Sequence, residues 1–314
     1  MRRAIFYSTA RFLVCLVVLG LAGCKPSPPA PVVSQTAALP VTTQALTGTT
    51  PAITSGSTPV LLTPSVAPIP LAARVDGLEI SLQEYESELA LYQAAKGTEL
   101  APEDKQRVLD DLIDQALLAQ AAREKGFLVD ETMFQQRISQ LASALGSDQA
   151  LQTWLTTYNY NEQTFNRALT RSVAAAWMRD QITASLPGAV EQVHARQILL
   201  YTAEQADQVY QLLKSGNDFG NLALKYDPLT GGDLGWFPRG YLMDKKLEDV
   251  AFSLQPDQFS AVIETPAGFH ILQVLERDPQ HPLSPDARLV LQTQAVSDWL
   301  AARRSQSQIE ITLP

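Results

Sequence analysis

The sequence predicts an α+β fold in which a mainly helical region precedes a region of mixed strands and helices. Residues 102–125 repeat apolar side chains at three- and four-residue intervals, the period of an amphipathic helix. Pro187-Gly188 ends the helical pattern, and the segment Val193–Tyr201 that follows is typical of a strand. Short strand-like segments lie near Arg74 and near Ile309. Because neither is long enough to be stable alone, we expect them to pair with each other.

Capping residues set the boundaries of the predicted helices. Ser81 and Glu84 have the spacing of a capping box, which predicts a helix that runs to about Ala95. Gly126 ends the helix of 102–125, and Asp130 begins the next. The other predicted helices cover 130–145, 148–158, 161–185, 203–214, 219–226, 247–252 and 286–304, and the other strands cover 261–263, 270–275 and 308–312.

Composition excludes several classes of protein. The 314 residues are 46% hydrophobic, which is enough chain for about two domains. The formal charge of −9 argues against nucleic acid as a partner, because phosphate binding requires clustered Lys and Arg. Two cysteines and three histidines leave no disulfide scaffold and little material for a metal site, so we expect neither metal nor cofactor. Hydrolase motifs and a glycine-rich phosphate loop are also absent from the sequence.

The N-terminus has the pattern of an export signal. Arg2, Arg3 and Arg11 accompany an apolar run over residues 12–19, and Leu21-Ala22-Gly23-Cys24 follows. This order resembles the lipobox of bacterial lipoproteins, which implies removal of residues 1–23 and a lipid on Cys24. An ordinary signal peptide with a chance cysteine, or an uncleaved anchor, is the alternative.

Residues 24–70 differ in composition from the rest of the chain. They contain ten of the 20 prolines, and Lys25 is their only charged residue. A helix or strand period cannot persist at that proline density, so we predict a disordered Pro/Ser/Thr-rich tether between the membrane and a folded body.

A series of short motifs carries a family resemblance. Residues 193–277 resemble a parvulin-type peptidyl-prolyl isomerase domain, and residues 112–118 with 122–126 resemble the chaperone segment of PrsA/SurA-like foldases. The isomerase motifs are His194-Ala195-Arg196-Gln197-Ile198-Leu199, Gly216-Asn217-Asp218-Phe219, Gly231-Gly232-Asp233-Leu234-Gly235-Trp236-Phe237, Arg239-Gly240, Leu247-Glu248-Asp249-Val250-Ala251-Phe252 and Thr265-Pro266-Ala267-Gly268-Phe269-His270-Ile271.

The resemblance implies a division of the chain. A helical SurA-N-like chaperone lobe covers residues 71–188, and an inserted parvulin-like domain, an antiparallel sheet flanked by helices, covers 189–277. Residues 278–314 form a helix and strand that pack back on the chaperone lobe.

The resemblance also implies site residues. An apolar slot for the proline ring falls on Leu234, Leu242 or Met243, and Leu247, although these side chains also fit an ordinary core. A site histidine falls on His270 with Thr265 as its hydrogen-bonding neighbour, although a histidine beside an apolar strand is often structural.

Two positions depart from the family pattern. Gln197 stands where the family has its first histidine, and His194, three residues away on a strand, would point to the opposite face. Glutamine still donates and accepts hydrogen bonds, but it does not titrate near neutral pH. In the shortened loop before Gly232, the acidic or thiol position of the family falls on Asp227, which equally fits a residue that opens a turn.

The function implied is that of an exported foldase, lipid-anchored to the outer face of the cell membrane. It would catalyse peptidyl-prolyl cis–trans isomerisation in unfolded or X–Pro-containing secreted polypeptides. Two alternatives remain. One is a holdase chaperone whose isomerase domain is weak or inactive, and the other is a lipoprotein scaffold that recruits envelope proteins.

Overall fold

The protein is described here over residues 69–313 of a computed structural model. The helices are α1 (Leu82–Lys96), α2 (Pro102–Glu124), α3 (Glu131–Leu145), α4 (Asp148–Thr157), α5 (Glu162–Ala184), α6 (Ala203–Lys214), α7 (Phe219–Tyr226), α8 (Lys245–Ser253) and α9 (Pro285–Arg304). The strands are β1 (Leu71–Val75), β2 (Leu78–Ser81), β3 (Ala189–Leu200), β4 (Asp233–Pro238), β5 (Ile263–Thr265), β6 (Gly268–Pro282) and β7 (Ile309–Ile311). The predicted α+β class is confirmed.

The capping residues begin the helices where the sequence predicts. The Ser81 Oγ accepts a hydrogen bond from the Glu84 N–H at 3.3 Å, and the Asp130 carboxylate accepts one from Met133 N–H at 2.8 Å. The Glu84 carboxylate does not complete the capping box, because it forms an ion pair with Arg171 of α5 instead. Both charged groups are buried, so this pair fixes α1 against α5.

A second buried polar contact lies beside this pair. The Tyr160 hydroxyl donates to Glu88 Oε1 at 2.7 Å. Burial raises the pKa of Glu88, and the Tyr160 bond and the charge of Arg171 oppose that rise. The loop before α5 is therefore held to α1 through hydrogen bonds and charge, in addition to apolar packing.

The first and last strands meet in a three-stranded antiparallel sheet of order β2-β1-β7. Arg74 pairs with Glu310 and Val75 pairs with Ile309, which confirms the pairing predicted from the sequence. The sheet packs on α2, whose buried face is formed by Val108, Leu109, Leu112, Ile113, Ala116 and Leu117. Helix α9 returns to the same body, where Arg304 bonds the Asp114 carboxylate at 2.6 Å and the Asp110 carboxylate at 3.1 Å.

The second sheet is antiparallel with the order β4-β3-β6-β5. Helices α6 and α7 cover one face, where Ile198 and Leu200 are buried. Helix α8 covers the other face, on which Ala195 and Leu272 pack against Phe252. Because Gln197 pairs with Leu272 in register, its side chain shares the α8 face.

The structure corrects the boundaries of three predicted strands. The predicted strand at 261–263 lies at Ile263–Thr265, because Ser260 uses its N–H and its hydroxyl to bond Leu272 across an irregular segment. Strands β3 and β6 also extend further than predicted, to Ala189 and Pro282. In this extension the buried Gln192 side chain donates to the carbonyls of His281 and Pro282 at 2.8 and 3.2 Å, so the ribbon persists despite its prolines.

Within residues 69–313, none of the helices is long and apolar enough to cross a membrane. The same part of the chain contains no cluster of three or more His, Cys, Asp or Glu side chains that would hold a metal ion. The predicted signal peptide, Cys24 and the predicted tether to residue 68 lie outside the described residues.

Candidate active site

His270 lies in β6 with its side chain buried between two neighbouring strands. On one side its Nδ1 is 2.8 Å from Gln197 Oε1, and on the other its Nε2 is 2.9 Å from Thr265 Oγ1. Register explains the placement, because His270 pairs with Leu199 of β3 and with Ile263 of β5. Each imidazole nitrogen therefore has one hydrogen-bond partner, which lies on β3 for Nδ1 and on β5 for Nε2.

These partners determine where the imidazole proton lies. An amide oxygen only accepts, so the Nδ1–H of His270 donates to Gln197, and Nε2 accepts from the Thr265 hydroxyl. Thr265 Oγ1 in turn accepts from the Ala267 N–H at 3.1 Å. Burial lowers the pKa of His270, against an opposing effect of the nearby Asp244 charge. Burial therefore favours the neutral form of this imidazole.

Gln197 retains an unused donor. Across the described part of the chain its Nε2 makes no hydrogen bond, while its Oε1 is occupied by His270. Its main chain is fixed separately, because Gln197 N–H donates to the Gly232 carbonyl at 2.8 Å. The amide hydrogens of Gln197 are therefore available to an acceptor on the α8 face of the sheet.

Three of the predicted slot residues lie together on this face. Leu234, Leu242 and Leu247 are partly buried and pack against one apolar cluster that includes Phe237 and Leu272. Met243, the alternative to Leu242 in the sequence analysis, is fully exposed. The structure thus directs Leu242 towards the apolar cluster and Met243 towards solvent.

Glu248 fixes the segment that carries Leu242, a role that its position in the motif of residues 247–252 does not indicate. This buried carboxylate accepts three consecutive main-chain N–H groups through Oε2, from Gly240 at 2.8 Å, Tyr241 at 3.1 Å and Leu242 at 3.3 Å. Its sequence signal is an acidic residue in the first turn of α8, directly after an apolar position. That signal is weak because acidic residues are common in first turns.

Asp227 has its hydrogen-bond partners within its own turn. Its carboxylate accepts from Leu229 N–H at 3.1 Å, from Thr230 N–H at 3.2 Å and from the Thr230 hydroxyl. The Thr230 hydroxyl is the main cause of a lowered Asp227 pKa, followed by the main-chain N–H groups. These contacts agree with the turn interpretation, and a catalytic role for Asp227 stays a prediction.

A close approach of two strands holds the site together. Gly232 has a φ of +72°, and a Cβ there would lie 1.8 Å from the Gln197 carbonyl oxygen. Only glycine therefore allows the bond between Gln197 and Gly232 that joins the start of β4 to β3.

His194 lies away from this network. Its Nε2 is 2.8 Å from Asp233 Oδ1, and its ring lies near Trp236. Burial raises the pKa of Asp233, but bonds from the Gly235 N–H and His194 outweigh that effect, and the net shift is downward. His194 is thus a separate polar contact on the opposite face of β3 from Gln197.

Comparisons with known proteins find matches to two parts of the chain. A family model described as a PPIC-type PPIase domain matches residues 191–276, and one described as a SurA-like N-terminal domain matches residues 38–179. Foldase protein PrsA of Caldanaerobacter subterraneus subsp. tengcongensis is 31% identical over 177 residues, 54% of this chain and 56% of the relative. Chaperone SurA of Methylobacillus flagellatus is 33% identical over 150 residues, 41% of this chain and 34% of the relative.

A solved structure of peptidylprolyl isomerase (PrsA) from Bacillus cereus matches with 20% identity and a TM-score of 0.45, over 67% of this chain and 88% of that one. The chain spans about half or less of the length of these two curated relatives. The chain thus contains a segment similar to a SurA-like N-terminal domain, followed by a segment similar to a PPIC-type PPIase domain, and it resembles PrsA and SurA proteins.

Proposed function

We propose that the protein is an exported peptidyl-prolyl cis–trans isomerase that assists the folding of secreted polypeptides. The observation that carries the proposal is the imidazole of His270, held between Gln197 and Thr265 in a domain that matches the PPIC-type PPIase model. On the same sheet face, Leu234, Leu242 and Leu247 supply apolar surface for a proline ring.

The reaction breaks no covalent bond, so the site needs neither nucleophile nor metal. Rotation about an X–Pro bond crosses a barrier of about 18–20 kcal/mol, because the amide loses its conjugation at the twisted geometry. An apolar site that excludes water and binds the twisted imide more tightly than either planar form lowers that barrier. The leucine cluster provides the apolar contact for the ring.

The polar residues have complementary roles in this mechanism. When the imide twists, its nitrogen recovers a localised lone pair, and the free amide hydrogens of Gln197 supply a donor to it. His270 holds the Gln197 oxygen, and Thr265 holds His270, so both are positioning residues. We assign Asp227 to the shape of the adjoining turn and Met243 to the exposed rim of the slot.

The domain layout and location belong to the same proposal. Residues 71–188 with 278–314 form the chaperone lobe, and residues 189–277 form the isomerase domain. Residues 1–23 act as a lipoprotein signal, Cys24 carries the lipid at the outer face of the cell membrane, and residues 24–70 are the tether. The order of arginines, apolar run and cysteine supports the anchor.

A peptide assay on the full chain in detergent micelles tests the activity. We expect cis–trans isomerisation of an Ala-Leu-Pro-Phe peptide well above the spontaneous rate, and a reduced kcat/KM for His270→Ala. His194→Ala is the matched control, because His194 bonds Asp233 on the opposite face of β3, and it should retain the parent rate. A parent rate equal to that of buffer across several residues before proline would exclude the catalytic proposal.

The second candidate is a holdase chaperone with a weak or inactive isomerase domain. Gln197 in place of a histidine and the Asp227 carboxylate bound within its own turn both favour it. It predicts that the chain suppresses aggregation of an unfolded client while peptide isomerisation stays at the spontaneous rate, so the two assays together separate the candidates.

A further inference from the structure

We propose that the proline-rich segment before residue 69 is a substrate of the chain's own isomerase site, in competition with other polypeptides. The inference rests on the proposed function, because it assigns that site a substrate within the same chain. It is supported by the chemistry of the segment and by the limited distance between residue 69, where the segment ends, and the site at His270.

The segment contains the bond on which the site would act. Nine X–Pro bonds precede residue 69, at prolines 26, 28, 29, 31, 40, 51, 59, 64 and 68. Over residues 26–68 there is no charged side chain. The segment is therefore not repelled by Asp244, whose charge acts on His270, or by the exposed carboxylate of Asp227.

Exposed apolar side chains also lie in the two chain segments that carry site residues. Leu229 follows Asp227 in the turn that leads to Gly232, and Met243 follows Leu242, and both are almost fully exposed. Such side chains favour an extended apolar or uncharged segment on either side of a bound proline. Leu39-Pro40, flanked by Ala38 and Val41, has that character.

The covalent path limits the distance to be spanned. Strand β6 from His270 to Pro282 covers about 40 Å, and α9 adds about 30 Å. Leu300 near the end of α9 packs in the same cluster as Ala72 and Ala73 of β1, close to residue 69. With the short connections included, His270 is at most about 100 Å from residue 69, whatever the angle between these elements.

The segment is long enough for that upper limit. At about 3.1 Å per residue, Pro26 to Pro31 can lie roughly 115–130 Å from residue 69. Those four prolines reach the site at the limiting distance, and the later prolines reach it at shorter separations. At separations close to the mean length of a flexible segment, tethered groups reach effective concentrations of up to the millimolar range. At such separations the X–Pro bonds of the same chain compete with a micromolar client for the site.

Magnetisation-exchange NMR on the full chain, ¹³C-labelled at proline and held in detergent micelles, tests the inference. An uncatalysed X–Pro bond exchanges in tens to hundreds of seconds. We expect at least tenfold faster exchange at one or more of the nine prolines, unchanged on tenfold dilution of the protein. The acceleration should be lost in His270→Ala and kept in the matched control His194→Ala.

A second measurement compares the parent with a full-length variant in which the nine prolines are alanine. The substitutions lie outside the folded core described here, so the variant keeps the isomerase site. We expect its KM for the Ala-Leu-Pro-Phe peptide to be at least twofold lower, with kcat unchanged.

The outcomes separate this inference from the function on which it rests. If the peptide is isomerised while the segment's prolines exchange at the uncatalysed rate, the segment is not a substrate of its own chain. The proposed isomerase activity then stands. Exchange that rises in proportion to protein concentration also refutes it, because catalysis then occurs between molecules. If neither peptide nor segment is isomerised, the proposed function fails and the inference fails with it.

Discussion

Replacing Gly232 by alanine tests whether the close approach of β4 to Gln197 is required for activity, separately from its effect on stability. The new Cβ would lie 1.8 Å from the Gln197 carbonyl oxygen, whereas non-bonded heavy atoms prefer about 3.5 Å. The two strands must therefore separate by more than about 1 Å. That shift breaks the 2.8 Å bond from Gln197 N–H to the Gly232 carbonyl and displaces the side chain that holds His270.

The expected cost follows from two contributions. A residue other than glycine in the left-handed region costs about 1–2 kcal/mol, and a broken hydrogen bond that leaves a group unpaired costs about 1–3 kcal/mol more. Gly232→Ala should therefore lower the free energy of unfolding by about 2–5 kcal/mol. Gly231→Ala is the matched control, because its φ is also positive, at +62°, but its Cβ would make an ordinary 3.4 Å contact with Leu224.

Urea unfolding followed by circular dichroism measures both variants, and the peptide assay measures kcat/KM. We expect Gly231→Ala to lose only the strain of about 1–2 kcal/mol and to retain most of its activity. Gly232→Ala should lose at least tenfold in kcat/KM under conditions where it is folded. Equal effects of the two substitutions would refute the argument, because the close approach to Gln197 would then not matter.

Three further predictions follow from described contacts. Glu248→Gln replaces the carboxylate that accepts from three main-chain N–H groups by a neutral amide. Because the segment that carries Leu242 is then held less firmly, we expect the KM for an X–Pro peptide to rise about tenfold. An unchanged KM would contradict this role of Glu248. Glu84→Gln leaves Arg171 buried without the carboxylate that it bonds, and it should lower the free energy of unfolding in urea by about 3–5 kcal/mol. The double variant Glu84→Gln with Arg171→Met should recover most of that free energy. Equal losses of free energy in the single and double variants would argue against the ion pair. Because burial lowers the pKa of His270, the native state favours the neutral imidazole, so stability should be constant above about pH 6.5 and fall below it. The kcat/KM should fall only at a lower pH, as the pH drops through the lowered pKa of His270 in the native state. His270→Ala should remove its part of the fall in stability, and the same acid dependence in that variant would assign the effect elsewhere.

Helix positions were predictable from the sequence because their signals are local. Ser81 and Asp130 cap their helices through side-chain bonds to residues three positions on, and such bonds depend on short-range geometry. The β1–β7 pairing was also predictable, since two strands too short to stand alone need partners.

Contacts between distant parts of the chain were not predictable in the same way. Glu84 has the sequence of a capping-box residue, but Arg171, 87 positions later, takes its carboxylate. The Glu248 contacts depend on a loop that folds back over the start of α8. The β3–β6 ribbon includes Pro279 and Pro282, whose usual place is in turns, and the Gln192 side chain supports it from the opposite strand.

The site was predictable in its members more than in their roles. Motif positions indicated His270, Gln197 and Thr265, and the structure brings these three side chains together. The choice between Leu242 and Met243 depended on which side chain faces the apolar cluster, and the sequence of adjacent apolar residues does not determine that.

The pairing of β1 with β7 has a consequence for the order of folding. Its two strands lie near opposite ends of the described chain, so the small sheet closes only after the last strand has emerged. All strands of the four-stranded sheet lie before residue 283. This sheet can therefore fold earlier when the chain emerges N-terminus first. A chain that stops before α9 would thus keep the four-stranded sheet that carries His270, while Ala72–Val75 lose a strand neighbour and the core loses Leu300.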